Sequence, residues 1–446
     1  MNSPSAIDVP TLIDASRISP FQIVVLGLCS LCVLLDGFDV QLIGYAAPAI
    51  LQDWKVDKAS LGAVFGAGLA GLLLGAMFLS MLADKIGRRP ALIGCTLFFA
   101  ISTLLTSRVT TIGELQILRF IAGLGLGSIL PGAIALAGEY SPLRKRVTLL
   151  MVVSVCFPLG GSIAGFVSAA VIPRWGWQSA FYIGGILPLF LVSLMLVYLP
   201  ESMQFLAARG KHALVSKWLK RIVPSATVDS HTRYLVNESN ETRSSVIQLF
   251  TEGRARITLI LWAANFLNLI DLYFLSNWLP TIVKDTGLTI STAVLAGTAL
   301  QVGGTVGSIM LGLSIDRTSF RRVLIPCFIV AAASIFLIGH SGVTLPLLFV
   351  AITTAGMCVI GGQSSLVVLA GSSYPTTLRA TGIGWSLGIG RLGSILGPVL
   401  GGELIRLNWP ASSIFTAVAI PAALSALALS AMDRDGQSAR AATHAA

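Results

Sequence analysis

The stretch Leu34-Leu35-Asp36-Gly37-Phe38-Asp39-Val40-Gln41-Leu42-Ile43-Gly44-Tyr45 places two carboxylates three residues apart inside an apolar run from Phe21 to Pro48. About 20 residues at a rise of about 1.5 Å cross a hydrocarbon core of about 30 Å, so this run is long enough to span a bilayer. An ionised Asp at mid-membrane costs about 2.5–3.5 kcal/mol on insertion scales. Two acids three apart share one helical face, which concentrates the cost there. Packing needs no such face; a proton-binding or substrate-facing surface does. The structural alternative is a pair of buried acids satisfied by neighbouring helices.

Working outward, the 446-residue chain is 54% hydrophobic and 11% charged, with a mean hydropathy of +0.83. Soluble domains carry about 25% charged residues, so this is a polytopic membrane protein whose partner is the lipid bilayer. The net charge of +10 does not point to nucleic acid, because the basic residues lie scattered between apolar spans, as topology requires. Cys29 and Cys32 form a CxxC without a second pair, which reads as small packing residues rather than a metal or redox site. The first 20 residues are polar and show no cleavable leader. No nucleophile–base set or metal cluster is visible, so neither an enzyme nor a cofactor is expected.

Apolar runs and breakers predict twelve spans, near 21–48, 60–82, 91–107, 112–137, 148–172, 178–199, 256–283, 292–313, 323–340, 344–370, 381–405 and 411–432. The expected organisation is a segment 1–20, a six-helix bundle over 21–199, a polar central loop over 200–255 without strong periodicity, a second six-helix bundle over 256–432 and a tail over 433–446. With the N-terminus inside, 22 of the 30 Lys and Arg fall in inner segments, Arg17 among them, and 6 outside. The positive-inside rule therefore puts both termini and the central loop in the cytoplasm. At an offset of 232 residues, Asp84-Lys85 matches Asp316-Arg317, Arg89 matches Arg321, Pro48 matches Pro280, Asp39 matches Asp271 and Asp36 matches Asn268. Such a duplication predicts two pseudo-symmetric halves with a binding site near the midplane that opens alternately to each side.

Between spans two and three the chain reads Leu82-Ala83-Asp84-Lys85-Ile86-Gly87-Arg88-Arg89, an acid with basic residues around a turn-forming glycine. It can act as a latch at the cytoplasmic face. Asp316 and Arg317 repeat it, Glu139 with Arg144 and Arg146 is expected to join it, and Arg379 after Tyr374-Pro375 is the second-half counterpart. On these residues the chain resembles the major facilitator superfamily over nearly its whole length.

A narrower resemblance rests on Ile13-Asp14, Phe21-Gln22, Asp36-Gly37-Phe38-Asp39, Arg119-Phe120 with Gly123, Gly125 and Gly127, Pro200-Glu201-Ser202 and Asn277-Trp278-Leu279-Pro280-Thr281. The longest match runs from Gly362-Gln363 through Tyr374-Pro375 and Gly384-Trp385 to Gly390-Arg391-Leu392-Gly393-Ser394-Ile395-Leu396-Gly397-Pro398. These look like the aromatic acid:proton symporter family. The resemblance implies proton-driven uptake of small aromatic carboxylates such as benzoates, hydroxybenzoates and protocatechuate across a bacterial inner membrane. Asp271 is not part of that pattern. The fold needs no second copy, and a monomer is the expected functional unit.

Depth along the spans assigns expected roles. Arg391 lies about ten residues, or roughly 15 Å, into span eleven, and is the candidate for the substrate carboxylate because a guanidinium offers a bidentate fork. Arg119 and Asp39 lie at matching depth near the outer edge, which makes them plausible partners. Asp36, Asp39 and Asp271 are the candidate proton carriers. Phe38, Tyr45, Tyr273, Trp278 and Trp385 could supply stacking faces, and Gln301 and Gln363 could bond ring hydroxyls or the carboxylate. The glycine rows Gly123/Gly125/Gly127 and Gly390/Gly393/Gly397 read as close helix packing. Alternatives are a proton-coupled exporter of drugs or metabolites, an importer of nicotinate or a dicarboxylate, and a transporter-derived sensor.

Overall fold

The computed structural model describes residues 7–8, 12–14, 18–222, 234–235, 246–340 and 344–432. Arg17, most of the central loop between 223 and 245, and the 433–446 tail therefore lie outside the described residues. The α-helices of six residues or more among those described are α1 Pro20–Trp54, α2 Ser60–Ile86, α3 Arg88–Thr106, α4 Ile112–Leu126, α5 Ile129–Glu139, α6 Leu143–Trp175, α7 Gln178–Tyr198, α8 Met203–Ala208, α9 His212–Ile222, α10 Ala255–Asp285, α11 Ile290–Arg317, α12 Phe320–Gly339, α13 Leu345–Ser373, α14 Thr376–Arg406 and α15 Ala411–Ser430. Twelve spans are long and apolar enough to cross a membrane, with α4 and α5 forming one of them. All twelve expected spans are found. The α4–α5 break falls at Gly127-Ser128, where a Cβ on Gly127 would stand 2.3 Å from the Leu72 carbonyl oxygen of α2.

The chain divides into two compact units, Met1–Asn240 with Leu279–Thr298, and Glu241–Trp278 with Ala299–Ala446. In the first unit α1 runs along α6, α2 along α4 and α3 along α7; in the second, α12 lies against α13 and α15. Glycine makes these approaches possible. A Cβ on Gly160 of α6 would stand 1.9 Å from the Leu34 carbonyl oxygen of α1, and one on Gly393 of α14 would stand 2.2 Å from the Phe266 carbonyl oxygen of α10. Close backbone contact replaces the hydrophobic driving force that helices in lipid lack. The segment 279–298 packs within the first unit, where Lys58 Nζ meets Asp285 Oδ2 at 2.7 Å and Ser291 Oγ donates to the Ala169 carbonyl at 3.0 Å.

The central loop differs from the expectation of a stretch without periodicity. In α9, Val215, Leu219 and Ile222 are buried at i, i+4 and i+7, one face of a helix. Trp218 stacks on Phe21 of α1 with centroids 5.5 Å apart and planes at 7°, and Arg221 lies 5.7 Å over the Phe21 ring. Eleven residues are too few to stand out in a charged stretch, and the helix persists because it has Phe21 to pack on.

Glu201 ties the loop between α2 and α3 to the end of α7. Its Oε1 accepts the Arg89 backbone N–H at 3.0 Å, capping the N-terminus of α3, where carboxylates are favoured. Gly87 has φ +108 and a Cβ there would meet Glu201 Oε2 at 2.4 Å, so the turn requires glycine on both counts. Replacing Glu201 by Ala should lower the stability of the purified protein by about 1–2 kcal/mol, as loss of a helix cap does. Thermal unfolding in detergent checks this; an unchanged midpoint would show that the cap contributes nothing.

Candidate functional site

In the first unit α1, α3, α4 and α7 converge on Asp39. Thr103 Oγ1 donates to Asp39 Oδ1 at 2.5 Å, and Arg119 Nη1 lies 3.3 Å from Oδ2. Arg119 Nη2 also donates to Thr106 Oγ1 at 2.8 Å, and its guanidinium carbon stands 5.1 Å over the Phe181 ring. Both charged side chains are buried, Asp39 at 1% and Arg119 at 4% exposure. A buried ion pair is tolerable only when its remaining donors and acceptors are satisfied, and the two threonines and the aromatic face do much of that. Sequence depth indicated Arg119 for Asp39; Thr103, Thr106 and Phe181 carried no signal in the sequence, since lone hydroxyls and aromatics are common in apolar spans.

The remaining residues of α1 are set differently. Asp36 is buried. Phe38 is buried with its ring facing the backbone of Gly184 on α7. Tyr45 is buried too, and its hydroxyl donates to the Gly161 carbonyl of α6 at 3.0 Å.

The second unit holds Arg391, half-buried on α14. Its Nη1 donates to Tyr273 Oη at 3.2 Å, and among the described residues that is its only side-chain bond. Beside it on α10, Asn265 and Asn268 stand one turn apart and share Gln363 of α13: Gln363 Nε2 donates to Asn265 Oδ1 at 3.0 Å, and Gln363 Oε1 accepts from Asn268 Nδ2 at 2.8 Å. Asn265 Nδ2 also reaches Ser386 Oγ at 2.7 Å. Amide groups on two facing helices thus hold one another, and half-buried Gln363 is presented in a fixed orientation. Gln363 was among the candidates read from the sequence, whereas Asn265 and Ser386 were not; the polar pair Asn265/Asn268 in an apolar span was the available clue.

Of the other expected pocket residues, Trp278 is fully buried and its Nε1 donates to the Pro398 carbonyl at 2.8 Å. Gln301 Nε2 donates to Ser276 Oγ at 3.3 Å. Trp385 is exposed and stacks on Trp262 at 5.9 Å. Asp271 is fully buried on α10. Arg119 and Arg391 belong to different units.

The expected latch residues resolve into local contacts. Arg88 Nε lies 3.5 Å from Glu139 Oε1, whose Oε2 accepts from Ser202 Oγ at 2.6 Å. Arg144 donates to the Asp14 carbonyl at 3.2 Å, and Arg146 Nη2 reaches the Ser141 carbonyl at 3.4 Å. Pro142, in an extended conformation (ψ 141), stands just before the first residue of α6. Asp84, Asp316, Arg317 and Arg379 are exposed. Arg321 donates to the carbonyls of Met432 at 2.9 Å and Ser430 at 2.8 Å.

Comparison with known proteins follows the same outline. The family model described as Major Facilitator Superfamily matches residues 29–228 and 261–445. The 4-hydroxybenzoate transporter PcaK of Pseudomonas aeruginosa is 37% identical over 436 residues, covering 96% of this chain and 97% of that protein. The gallate transporter of Pseudomonas putida is 37% identical over 425 residues, covering 95% and 94% respectively. Among solved structures, the inward-open xylose transporter XylE from E. coli superposes with a TM-score of 0.73 at 15% identity, over 91% of this chain and 95% of that one; this likeness speaks for the fold alone.

Proposed function

Because the chain belongs to the major facilitator superfamily, within its aromatic acid transporters, we propose that it imports a small aromatic carboxylate together with protons by alternating access. It is a multi-pass transporter and not an enzyme. The cargo we assign is hydroxybenzoate-like or protocatechuate-like, and the membrane a bacterial inner membrane with both termini in the cytoplasm.

Arg391 is the observation that carries this reading. A mid-span cation that donates to a phenol rather than to an acid still has fork positions for a carboxylate, and it keeps its charge whatever the state of its neighbours. Tyr273 holds one edge of the guanidinium and leaves the rest for the anion. Gln363, fixed by Asn265 and Asn268, is assigned to a ring hydroxyl, since a group built to hydrogen-bond a hydroxyl discriminates strongly against its absence.

Proton coupling is assigned to the buried carboxylates of α1, Asp36 and Asp39. Arg119 Nη1 stands 3.3 Å from Asp39 Oδ2 in the conformation described. The contacts of Arg88, Glu139, Glu201 and Ser202 in the first unit, together with Asp84, Arg144, Asp316, Arg317 and Arg379, are assigned to the cytoplasmic gate.

Labelled 4-hydroxybenzoate and protocatechuate in proteoliposomes with an inward-directed proton gradient test the whole reading. Accumulation above equilibrium, competed by benzoate or gentisate but not by a dicarboxylate, is expected. Accumulation only under an outward-directed gradient would make the protein an exporter, and competition by nicotinate alone would reassign the cargo.

A further inference from the structure

The two units repeat one packing plan, which identifies equivalent positions. Gly160 of α6 faces the Leu34 carbonyl as Gly393 of α14 faces that of Phe266; Gly123 of α4 faces Gly68 as Gly356 of α13 faces Leu300. Arg89 and Arg321 likewise both cap the closing turn of a later helix, through the carbonyls of Leu196 and Ser430. Asp271 is therefore the counterpart of Asp39. The partners of Asp39 have no polar counterparts: Ile352 stands for Arg119, Ile335 for Thr103 and Ile338 for Thr106, and all three are buried. Asp271 is itself 0% exposed, and neither of its oxygens has a hydrogen-bond partner among the described residues.

Among the described residues, the helices packed on α10 bring no charge to replace Arg119. On α14, Arg391 is turned to Tyr273 and Arg406 to Glu403. On α13, Gln363 is held by the asparagines, and on α11, Gln301 bonds Ser276. Phe415 of α15 meets α10 through Phe274. The Cys327 thiol of α12 donates to the Cys358 carbonyl of α13. An ionised carboxylate taken from water with no compensating partner is so costly that it takes up a proton instead, and packing alone would be served better by a leucine.

We propose that Asp271 is a second proton-carrying carboxyl, loaded in the conformation described and emptied to water once per cycle when the second unit opens. This rests on the symport reading and deepens it. The step is a plain acid dissociation: the O–H bond breaks, water takes the proton, the electron pair stays on the carboxylate, and the acid is re-formed on reloading. With one proton carried by the first unit and one by Asp271, each aromatic anion enters with net positive charge, so uptake responds to membrane potential.

The test compares wild type with Asp271→Asn in proteoliposomes, with Asp271→Leu in reserve should Asn not fold. Wild-type uptake should rise under an interior-negative potential at zero pH difference. The variant should lose that response, and its proton-to-substrate ratio should fall by one, while exchange of labelled for unlabelled substrate stays within about two-fold. In parallel, the infrared carbonyl band of a protonated carboxylic acid should be present in wild type at neutral pH and reduced in the variant. A variant with unchanged potential response, or a band identical in both proteins, overturns the proposal. Wild-type vesicles that exchange no aromatic acid would overturn the symport reading instead, and the band would still report on Asp271.

Discussion

Replacing Arg119 by Leu should leave little folded protein in the membrane. The substitution removes the counter-ion of a carboxylate that is 1% exposed and 3.3 Å away, and it strips Thr106 of its donor. Breaking one side of a buried pair costs about 3–5 kcal/mol, because the remaining charge is left uncompensated. Folded proteins are stable by only about 5–15 kcal/mol, so the loss is a large share of the total. Replacing both partners is a different matter: an apolar pair of similar volume is often neutral or even stabilising. Asp39→Leu combined with Arg119→Leu should therefore recover most of the folded yield that Arg119→Leu loses. Monodispersity on size exclusion and thermal unfolding in detergent read both effects. The recovered double variant should exchange substrate yet accumulate it less on a proton gradient, with a proton-to-substrate ratio lower by one, since its first unit has lost an acid assigned to the proton while Asp271 keeps its own. A double variant that folds and still accumulates normally would reduce the pair to a structural clamp.

How much of this was legible beforehand depended on how strongly each feature is constrained. The spans were readable because lipid offers the backbone no hydrogen bonds, so each crossing must be a helix of nearly fixed length. The Asp39–Arg119 pair was readable because two charges at the same depth in an apolar medium must find each other. Thr103 and Thr106 were not, since a hydroxyl in a helix can always satisfy itself on a carbonyl a turn earlier, as Thr353 does with Phe349. Rotation of a side chain about its helix was equally hidden. Tyr45 and Trp278 read as pocket aromatics, yet their polar atoms go to the carbonyls of Gly161 and Pro398. The amphipathic α9 was masked by the charges around it, and the cap from Glu201 joins residues 112 positions apart. Asp271 was visible as an acid, but that it stands alone emerges only when the positions equivalent to Arg119, Thr103 and Thr106 are seen to hold isoleucine.

Arg391→Ala should abolish gradient-driven uptake while leaving the protein folded. Arg391 is half-buried and donates to a neutral phenol, so its removal leaves no charge stranded and costs far less stability than the loss of Arg119. Its expected partner is the substrate. A hydrogen bond to a charged group contributes about 1.5–3 kcal/mol, and each 1.4 kcal/mol is about tenfold in affinity. Loss of a two-pronged contact should thus raise the dissociation constant by about 100-fold or more. Arg391→Lys separates charge from shape: an ammonium keeps the charge but offers no planar fork, so its affinity should lie between wild type and Ala. Tyr273→Phe frees the guanidinium edge without touching its charge, and should cost only a few-fold through looser positioning. Calorimetric binding of 4-hydroxybenzoate to the four proteins would give that order. If Lys equalled wild type, the site would require charge alone; if Ala bound as well as wild type, Arg391 would not be the carboxylate anchor. The anion would then have to be held by Arg119, already committed to Asp39, and substrate and proton would compete for one residue instead of being read by separate ones.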